Sequence, residues 1–151
     1  MAISTTQSIW RSGGGDQTRT AYCGSGVMAA QFYIADASVA TATNVKVSSV
    51  ANAPSLILPA GAVVLSVAIN DAGTGSVDLG TRGYNSGTAS GASIANGLSV
   101  ASAGVITSGL VLTAISELSY VTVTIDTSGA GTVGGYITYF VADPQVGQQN
   151  D

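Results

Sequence analysis

The sequence contains no histidine and a single cysteine, Cys23. Because imidazole and thiolate groups are the main ligands of zinc, copper, haem and iron–sulfur centres, we expect no such cofactor. A serine nucleophile would lack its usual base, and the one lysine, Lys46, falls at an alternating, exposed position of a predicted strand. One cysteine also excludes an internal disulfide, and it does not identify a redox compartment.

Charged residues are scarce as well. They make up 8% of the 151 residues, with four Lys+Arg, eight Asp+Glu and a formal net charge of −4, whereas an average soluble domain has roughly 25%. Four cations do not neutralise the roughly six to ten phosphates of a typical nucleic-acid contact, so we expect no nucleic-acid partner. Small neutral side chains cost little to desolvate, which favours packing against other protein subunits.

Paired acid–base chemistry of the kind glycosidases use could be drawn from four carboxylates: Asp71, Asp78, Glu117 and Asp126. Asp71 and Asp126 fall in predicted turns, where aspartate side chains bond the local backbone. The segment 71–78 lacks the alternating oxygen ligands of an EF-hand, although a calcium site assembled from separate loops stays open. No Gly-Lys-Ser/Thr follows the glycine-rich stretches, so they do not predict a phosphate site. We therefore expect a protein that is not an enzyme.

Long apolar runs are also missing. No window reaches the ~18 consecutive apolar residues of a membrane span, and Met1 to Trp10 lacks the basic and apolar regions of a secretory signal. We expect a soluble protein with no membrane partner.

Alternation of apolar and small side chains is the clearest pattern in the sequence. It predicts that the odd positions of 63–69, from Val63 to Ile69, face a core, and it recurs in 28–34, 45–47 and 121–125. Residues 134–141 are apolar on both faces, which is typical of a central strand. Shorter strands are predicted at 20–23, 55–58, 76–79, 98–101 and 106–113, and a helical turn at 35–43.

Turn signals separate these strands at 52–54, 59–61, 70–73 and 126–129. Eight to ten short strands without long helices predict an all-β fold, an antiparallel β-sandwich or barrel. The predicted organisation is an extended N-terminal arm (1–19), a β-sandwich domain (20–144) and a polar C-terminal tail (145–151). Within the domain, Thr81 to Asn96 is predicted to be a long Gly/Ser/Ala/Asn loop.

Exposed aromatic side chains are the candidate binding residues. Tyr22 and Tyr120 lie on predicted strands, where a core or sheet-surface role is expected, and Tyr84 lies in the predicted loop. Trp10 stands beside Arg11 in an otherwise polar arm with no core of its own to join. Tryptophan and arginine are enriched at binding hot spots, so Trp10 is predicted to pack against a neighbouring subunit, a partner surface or the domain itself.

Two segments resemble small structural proteins of tailed-phage virions. In 56–80, a Leu-Pro-Ala-Gly turn leads into an alternating strand and a Val-Asp-Leu-Gly strand end follows. Residues 134–141, followed by Asp143-Pro144, are similar to the closing strand of the same proteins. The likeness covers about 55–141, and the N-terminal third has no counterpart in it.

This resemblance implies a jelly-roll-like β-sandwich that acts as a capsid decoration (cement) protein. Such a protein would be assembled in the host cytoplasm, bind the major capsid protein on the outer surface of the virion, and form a homo-oligomer, with a trimer favoured. Apart from the resemblance, the residues themselves make Trp10, Arg11 and Arg19 in the arm, and Tyr84, the candidate partner-binding residues.

Two other functions stay open. A fibre, spike or carbohydrate-binding recognition module would use the predicted loop and Tyr84 to touch glycans. A shell-forming jelly-roll capsid protein is the third reading, although so few cations suit the packaging of nucleic acid poorly.

Overall fold

The computed structural model describes residues 27–141, and within this range the chain forms nine β-strands and no helix. The strands are β1 (Val27–Ile34), β2 (Thr43–Asn44), β3 (Ile57–Leu58), β4 (Ala62–Asp71), β5 (Thr74–Gly83), β6 (Ala89–Ser99), β7 (Gly104–Ile106), β8 (Ser119–Ala130) and β9 (Val133–Val141). A membrane-crossing helix, long and apolar enough for the purpose, is therefore not found among the described residues.

The strands pair in a nested order. The first strand pairs with the last, β1 with β9, and moving inward β2 and β3 both pair with β8, β4 with β7, and β5 with β6. The result is two antiparallel sheets, a four-stranded one in the order β1-β9-β4-β7 and a five-stranded one in the order β2-β8-β5-β6, with β3 also on β8. With β2 and β3 counted as one interrupted strand, this is the pairing of an eight-stranded jelly roll. The predicted fold class is confirmed.

The core lies between the two sheets and draws on both. Phe32 of β1 and Ile137 of β9 face Leu79 of β5 and Val121 of β8 in one cluster of buried side chains. The prediction of a central strand at 134–141 is confirmed, because β9 runs between β1 and β4 and Ile137 is fully buried.

The predicted buried face of 63–69 is confirmed at Val63, Val67 and Ile69, which are buried, and is wrong at Leu65. The register of β4 against β9 shifts between Val64 and Ser66, and an extra residue in a strand reverses which side chains face inward. Val64 therefore joins the core before the bulge and Val67 after it, while Leu65 is only half-buried.

The predicted long loop at 81–96 is also wrong. β5 continues to Gly83 and β6 begins at Ala89, so the connection is only 84–88. Gly80 shows why a loop-like composition forms strands here: a Cβ on it would lie 1.9 Å from the carbonyl oxygen of Ser90. The close approach of two backbones, rather than a turn, requires this glycine.

Three smaller predictions differ from the structure as well. The predicted helical turn at 35–43 is a series of bends in which Asp36 bonds Ser38, and the predicted strand at 106–113 ends at Ile106. The predicted turn at 126–129 lies inside β8, and the chain turns after Ala130, where Gly131 has a φ of 82°. The turns at 52–54 and 59–61 are confirmed, with positive φ at Asn52 and Gly61.

Several sequence predictions lie outside the described residues and stay predictions. They concern the arm 1–19 with Trp10, Arg11 and Arg19, the strand 20–23 with Tyr22, and the tail 145–151.

Candidate interaction surface

Tyr84 lies in the short turn between β5 and β6, and the turn is held by hydrogen bonds on both sides. The Gly83 amide donates to the Thr88 carbonyl at 2.9 Å, and the Gly87 amide donates to the Gly83 carbonyl at 3.0 Å. Tyr84 itself donates its amide to the Leu118 carbonyl at 2.8 Å, which ties the turn to the start of β8. The Tyr84 side chain is nevertheless 52% exposed. A large ring is thus presented to solvent on a fixed backbone.

A row of side chains across the five-stranded sheet places Tyr120 beside this turn. Ile57 of β3 and Arg82 of β5 are the direct partners of Tyr120 on the two sides of β8. Residues directly opposite one another point to the same face, and Val121 faces the core, so this row lies on the outer face. The Tyr84 and Tyr120 rings are 5.5 Å apart between centroids, with planes inclined by 36°.

We define the Tyr84 patch as these side chains together with Leu118, whose carbonyl accepts the Tyr84 amide: Ile57, Arg82, Tyr84, Leu118 and Tyr120. Leu118 is 40% exposed and Ile57 38% exposed. Tyrosine and arginine are enriched at protein-binding hot spots, and the two aliphatic side chains add apolar area to the patch. Aromatic faces of this kind also stack against sugar rings.

The Arg82 side chain crosses β8 and is fixed at its far end. Its guanidinium donates to the Ala42 carbonyl at 2.9 Å and to the Asn44 side-chain oxygen at 3.5 Å. Thr122 lies along this path, between Asn44 and Gly80 in the sheet, and is fully buried. Its hydroxyl has no hydrogen-bond partner among the residues that the structure describes. The patch is therefore rigid at Arg82 as well as at Tyr84.

Three of the four candidate carboxylates accept local hydrogen bonds. Asp78 accepts the amide of Gly97 at 2.8 Å, and Asp126 accepts the hydroxyl of Ser76 at 2.8 Å. Glu117 accepts the hydroxyl of Ser86, which further braces the Tyr84 turn. The expected turn position of Asp126 is wrong, since it lies within β8.

The remaining chemistry-bearing residues are separate from the patch. Asp71 is the last residue of β4, not part of a turn, and lines a polar hollow with Gln31, Tyr33 and Asn70. Lys46 is exposed, as predicted, and exchanges backbone hydrogen bonds with Tyr33 at 2.7 and 3.0 Å. Between residues 27 and 141, three or more Asp, Glu, His or Cys side chains do not come together in a group that would hold a metal ion.

Sequence reasoning identified part of this surface. Tyr84 was expected to be exposed and Tyr120 to lie on a strand, and the structure brings them together. Ile57, Leu118 and Arg82 were not expected to take part, because their proximity depends on cross-strand register. One signal was present for Arg82: it stands two residues before Tyr84, a spacing that puts both on one face of a strand.

Comparisons with known proteins give little beyond this. The sequence matches no protein-family model and no curated protein. Among solved structures, a chain of the cyanophage Pam1 capsid asymmetric unit is similar, with 18% sequence identity and a TM-score of 0.44. The alignment covers 85% of this chain and 92% of that one. A likeness at this level assigns neither a family nor a function.

Proposed function

We propose that the chain is a non-enzymatic structural protein of a phage virion. In this proposal it decorates the head, binding the major capsid protein on the outer surface and stabilising contacts between capsomers. The observation that carries the proposal is the Tyr84 patch, in which the exposed Tyr84 ring, on a fixed backbone, lies beside the half-buried Tyr120 ring. The sequence resemblance over 55–141 supplies the kind of partner. Jelly rolls occur in viral capsid proteins and also in lectins, so the fold alone does not choose between these functions.

The patch is large enough to anchor such a contact. A tyrosine side chain buries about 200 Å², and about half of Tyr84 is exposed, so docking would remove about 100 Å² from water. At about 25 cal/mol per Å² this contributes about 2.5 kcal/mol for Tyr84 alone. Because the turn is already held by backbone hydrogen bonds, little conformational entropy is lost when it docks.

Repetition on the particle would strengthen a modest contact. The resemblance favours a homo-oligomer, and joining subunits makes later contacts effectively intramolecular, so avidity exceeds single-site affinity. Trp10, Arg11 and Arg19 are proposed to add a second contact from the arm. A net charge of −4 with four cations suits an outer surface better than a lumen lined by nucleic acid.

The test uses heads from a phage whose coding sequence for this chain has been deleted. Purified 151-residue protein is added and its occupancy is measured at increasing concentration. Tyr84→Ala should weaken binding at least about fiftyfold to a hundredfold, the equivalent of about 2.5 kcal/mol for the contact of one subunit. Tyr136→Ala is the matched control, because Tyr136 is 44% exposed but lies on β9 of the other sheet.

Equal binding by the wild type and Tyr84→Ala would remove the patch from the mechanism. If the wild type does not bind such heads at all, the decoration function is wrong. Trp10→Ala tests the arm in the same assay, and undiminished occupancy would exclude Trp10 as an anchor.

A carbohydrate-recognition module is the second candidate, and the same tyrosine pair favours it. The two inclined rings, Tyr84 exposed and Tyr120 half-buried, lie beside a fixed guanidinium and offer both stacking surface and donors to a sugar. Binding of the purified chain to a glycan array, lost in Tyr84→Ala, would support this function over decoration. The two aliphatic side chains of the patch favour a protein partner, which is why decoration is placed first.

A further inference from the structure

The edge strands of the two described sheets differ in how well they are protected from pairing with another molecule. On the five-stranded sheet, β2 and β3 have two residues each, and β6 is partly covered by the segment 109–111 through hydrogen bonds such as Val111 to Ile94 at 3.0 Å. On the four-stranded sheet, β7 has only three residues. Short or covered edges are the usual protection against strand pairing with another molecule.

The remaining edge, β1, is long and is covered only near its C-terminal end, at Tyr33. It is eight residues long, reads Val-Met-Ala-Ala-Gln-Phe-Tyr-Ile, and runs in unbroken register along β9. It contains no proline, no bulge and no charged residue. Val27 is 65% exposed and Met28 40% exposed. In the described part of the chain, the outer edge of β1 is paired only at Tyr33, which bridges to Lys46.

The bridge at Tyr33 fixes the direction of the other backbone groups. Both the N–H and the C=O of Tyr33 point to the outer edge, where they bond Lys46. In an antiparallel strand these groups alternate with a period of two, so Gln31, Ala29 and Val27 present their N–H and C=O groups on the same side. About three donors and three acceptors are thus aligned along one free edge.

This edge is complementary to itself. Two copies of β1 related by a two-fold axis at Ala29 would pair Ala29 with Ala29 and Val27 with Gln31, forming about six backbone hydrogen bonds. A two-fold axis brings each residue near its own copy, so any charge there would meet a like charge. β1 has none, and the residue on the axis has the small side chain of alanine.

We propose that β1 is a self-association site at which two copies of this chain join their four-stranded sheets edge to edge. The pairing covers Val27 and Met28, the two large apolar side chains of the strand that are exposed. It holds whether or not the chain decorates a capsid. It also predicts a two-fold contact, whereas the trimer implied by the sequence resemblance would need a head-to-tail one.

The first test is the oligomeric state of the full 151-residue chain in solution. A single strand edge buries less than the about 1,200 Å² of a stable interface, so sedimentation velocity is run up to about 1 mM protein. The wild type should form dimers. Ala29→Pro should be monomeric, because it removes the edge N–H on the axis from both copies while removing no hydrogen bond to β9. A wild type that is monomeric or trimeric at all concentrations would overturn the proposal.

The second test addresses the two-fold axis directly. Ala29→Lys and Ala29→Glu should each raise the dimer dissociation constant at least about tenfold at low salt, since each places like charges face to face. An equimolar mixture of the two variants should restore dimers, and native mass spectrometry should show them to be heterodimers. Ala29 is exposed, so both variants are expected to keep the wild-type circular dichroism spectrum.

Failure of the mixture to form heterodimers would overturn the two-fold contact, even if each variant alone is monomeric. The mixture would also form no heterodimers if the chain's own residues 20–23, folded back through Gly24-Ser25-Gly26, covered the edge instead. In that case the wild type is also monomeric, and hydrogen exchange at the amides of Ala29 and Gln31 is slow at every protein concentration.

Discussion

Replacing Thr122 with valine should make the protein more stable. Thr122 lies in the middle of β8, is fully buried under the path of the Arg82 side chain, and has a hydroxyl without a partner among the described residues. A buried hydroxyl that has lost water and gained no hydrogen bond costs about 1–3 kcal/mol. Valine keeps the branched shape and removes that cost.

The expected gain is about 1–3 kcal/mol in the free energy of unfolding, measured by urea denaturation. For a chain of this size it corresponds to a rise in Tm of about 3–10 °C. Thr124→Val is the matched control, since Thr124 lies on the same strand and the same face but is only half-buried. The control should change stability by less than about 0.5 kcal/mol, because the change in β propensity is shared.

A Thr122→Val variant that is less stable than the wild type would refute the reasoning. It would mean that the Thr122 hydroxyl donates a hydrogen bond to a neighbouring oxygen, and that valine removes this stabilising bond. Equal gains for Thr122→Val and Thr124→Val would also refute it, because the effect would then come from strand propensity.

Two further predictions test the packing of the four-stranded sheet and a local carboxylate. Gly135→Ala should lower the free energy of unfolding by about 3 kcal/mol or more, because its Cβ would lie 1.8 Å from the Ala68 carbonyl oxygen on β4. Gly91→Ala is the control: a Cβ there would have open space around it, so it should cost under about 1 kcal/mol in the same urea titration. Ser38→Ala should raise the pKa of Asp36, which the Ser38 hydroxyl and then the Ser38 amide hold below its usual value. A depressed pKa in the folded state means that these bonds stabilise the protein at neutral pH and cease to do so as the pH falls through that pKa. An unchanged Asp36 titration by NMR in Ser38→Ala would contradict this.

The strands that could be predicted from sequence are those that bury one face against the core. Residues 28–34 and 121–125 alternate because one face of each strand packs against the other sheet, and this requires an apolar side chain at every second position. The bulge at Leu65 was not predictable, since an extra residue in a strand leaves no mark in a short apolar run.

The β5–β6 hairpin was missed for a different reason. Its glycines and serines have the composition of a loop, yet Gly80 is required by the approach of the Ser90 backbone. Gly129 is similar, since its Cβ would meet the Ala37 carbonyl at 2.2 Å. Close approach of this kind depends on tertiary structure, so local composition does not reveal it.

The candidate surface was predictable only in its aromatic half. An exposed Tyr84 follows from its polar neighbours, but its pairing with Tyr120 depends on how β5 and β8 align. The same alignment brings Ile57 and Arg82 to Tyr120 from opposite sides. Cross-strand register depends on the whole sheet, so the local sequence does not predict which residues form the Tyr84 patch.

The central claim, that the chain acts by binding many equivalent protein neighbours on a particle, is tested most directly by counting it. Quantitative mass spectrometry of purified virions, from the phage that carries the coding sequence, gives its copy number relative to the major capsid protein. The account predicts hundreds of copies per particle. A few dozen copies, as expected of a fibre or spike, or none at all would contradict it.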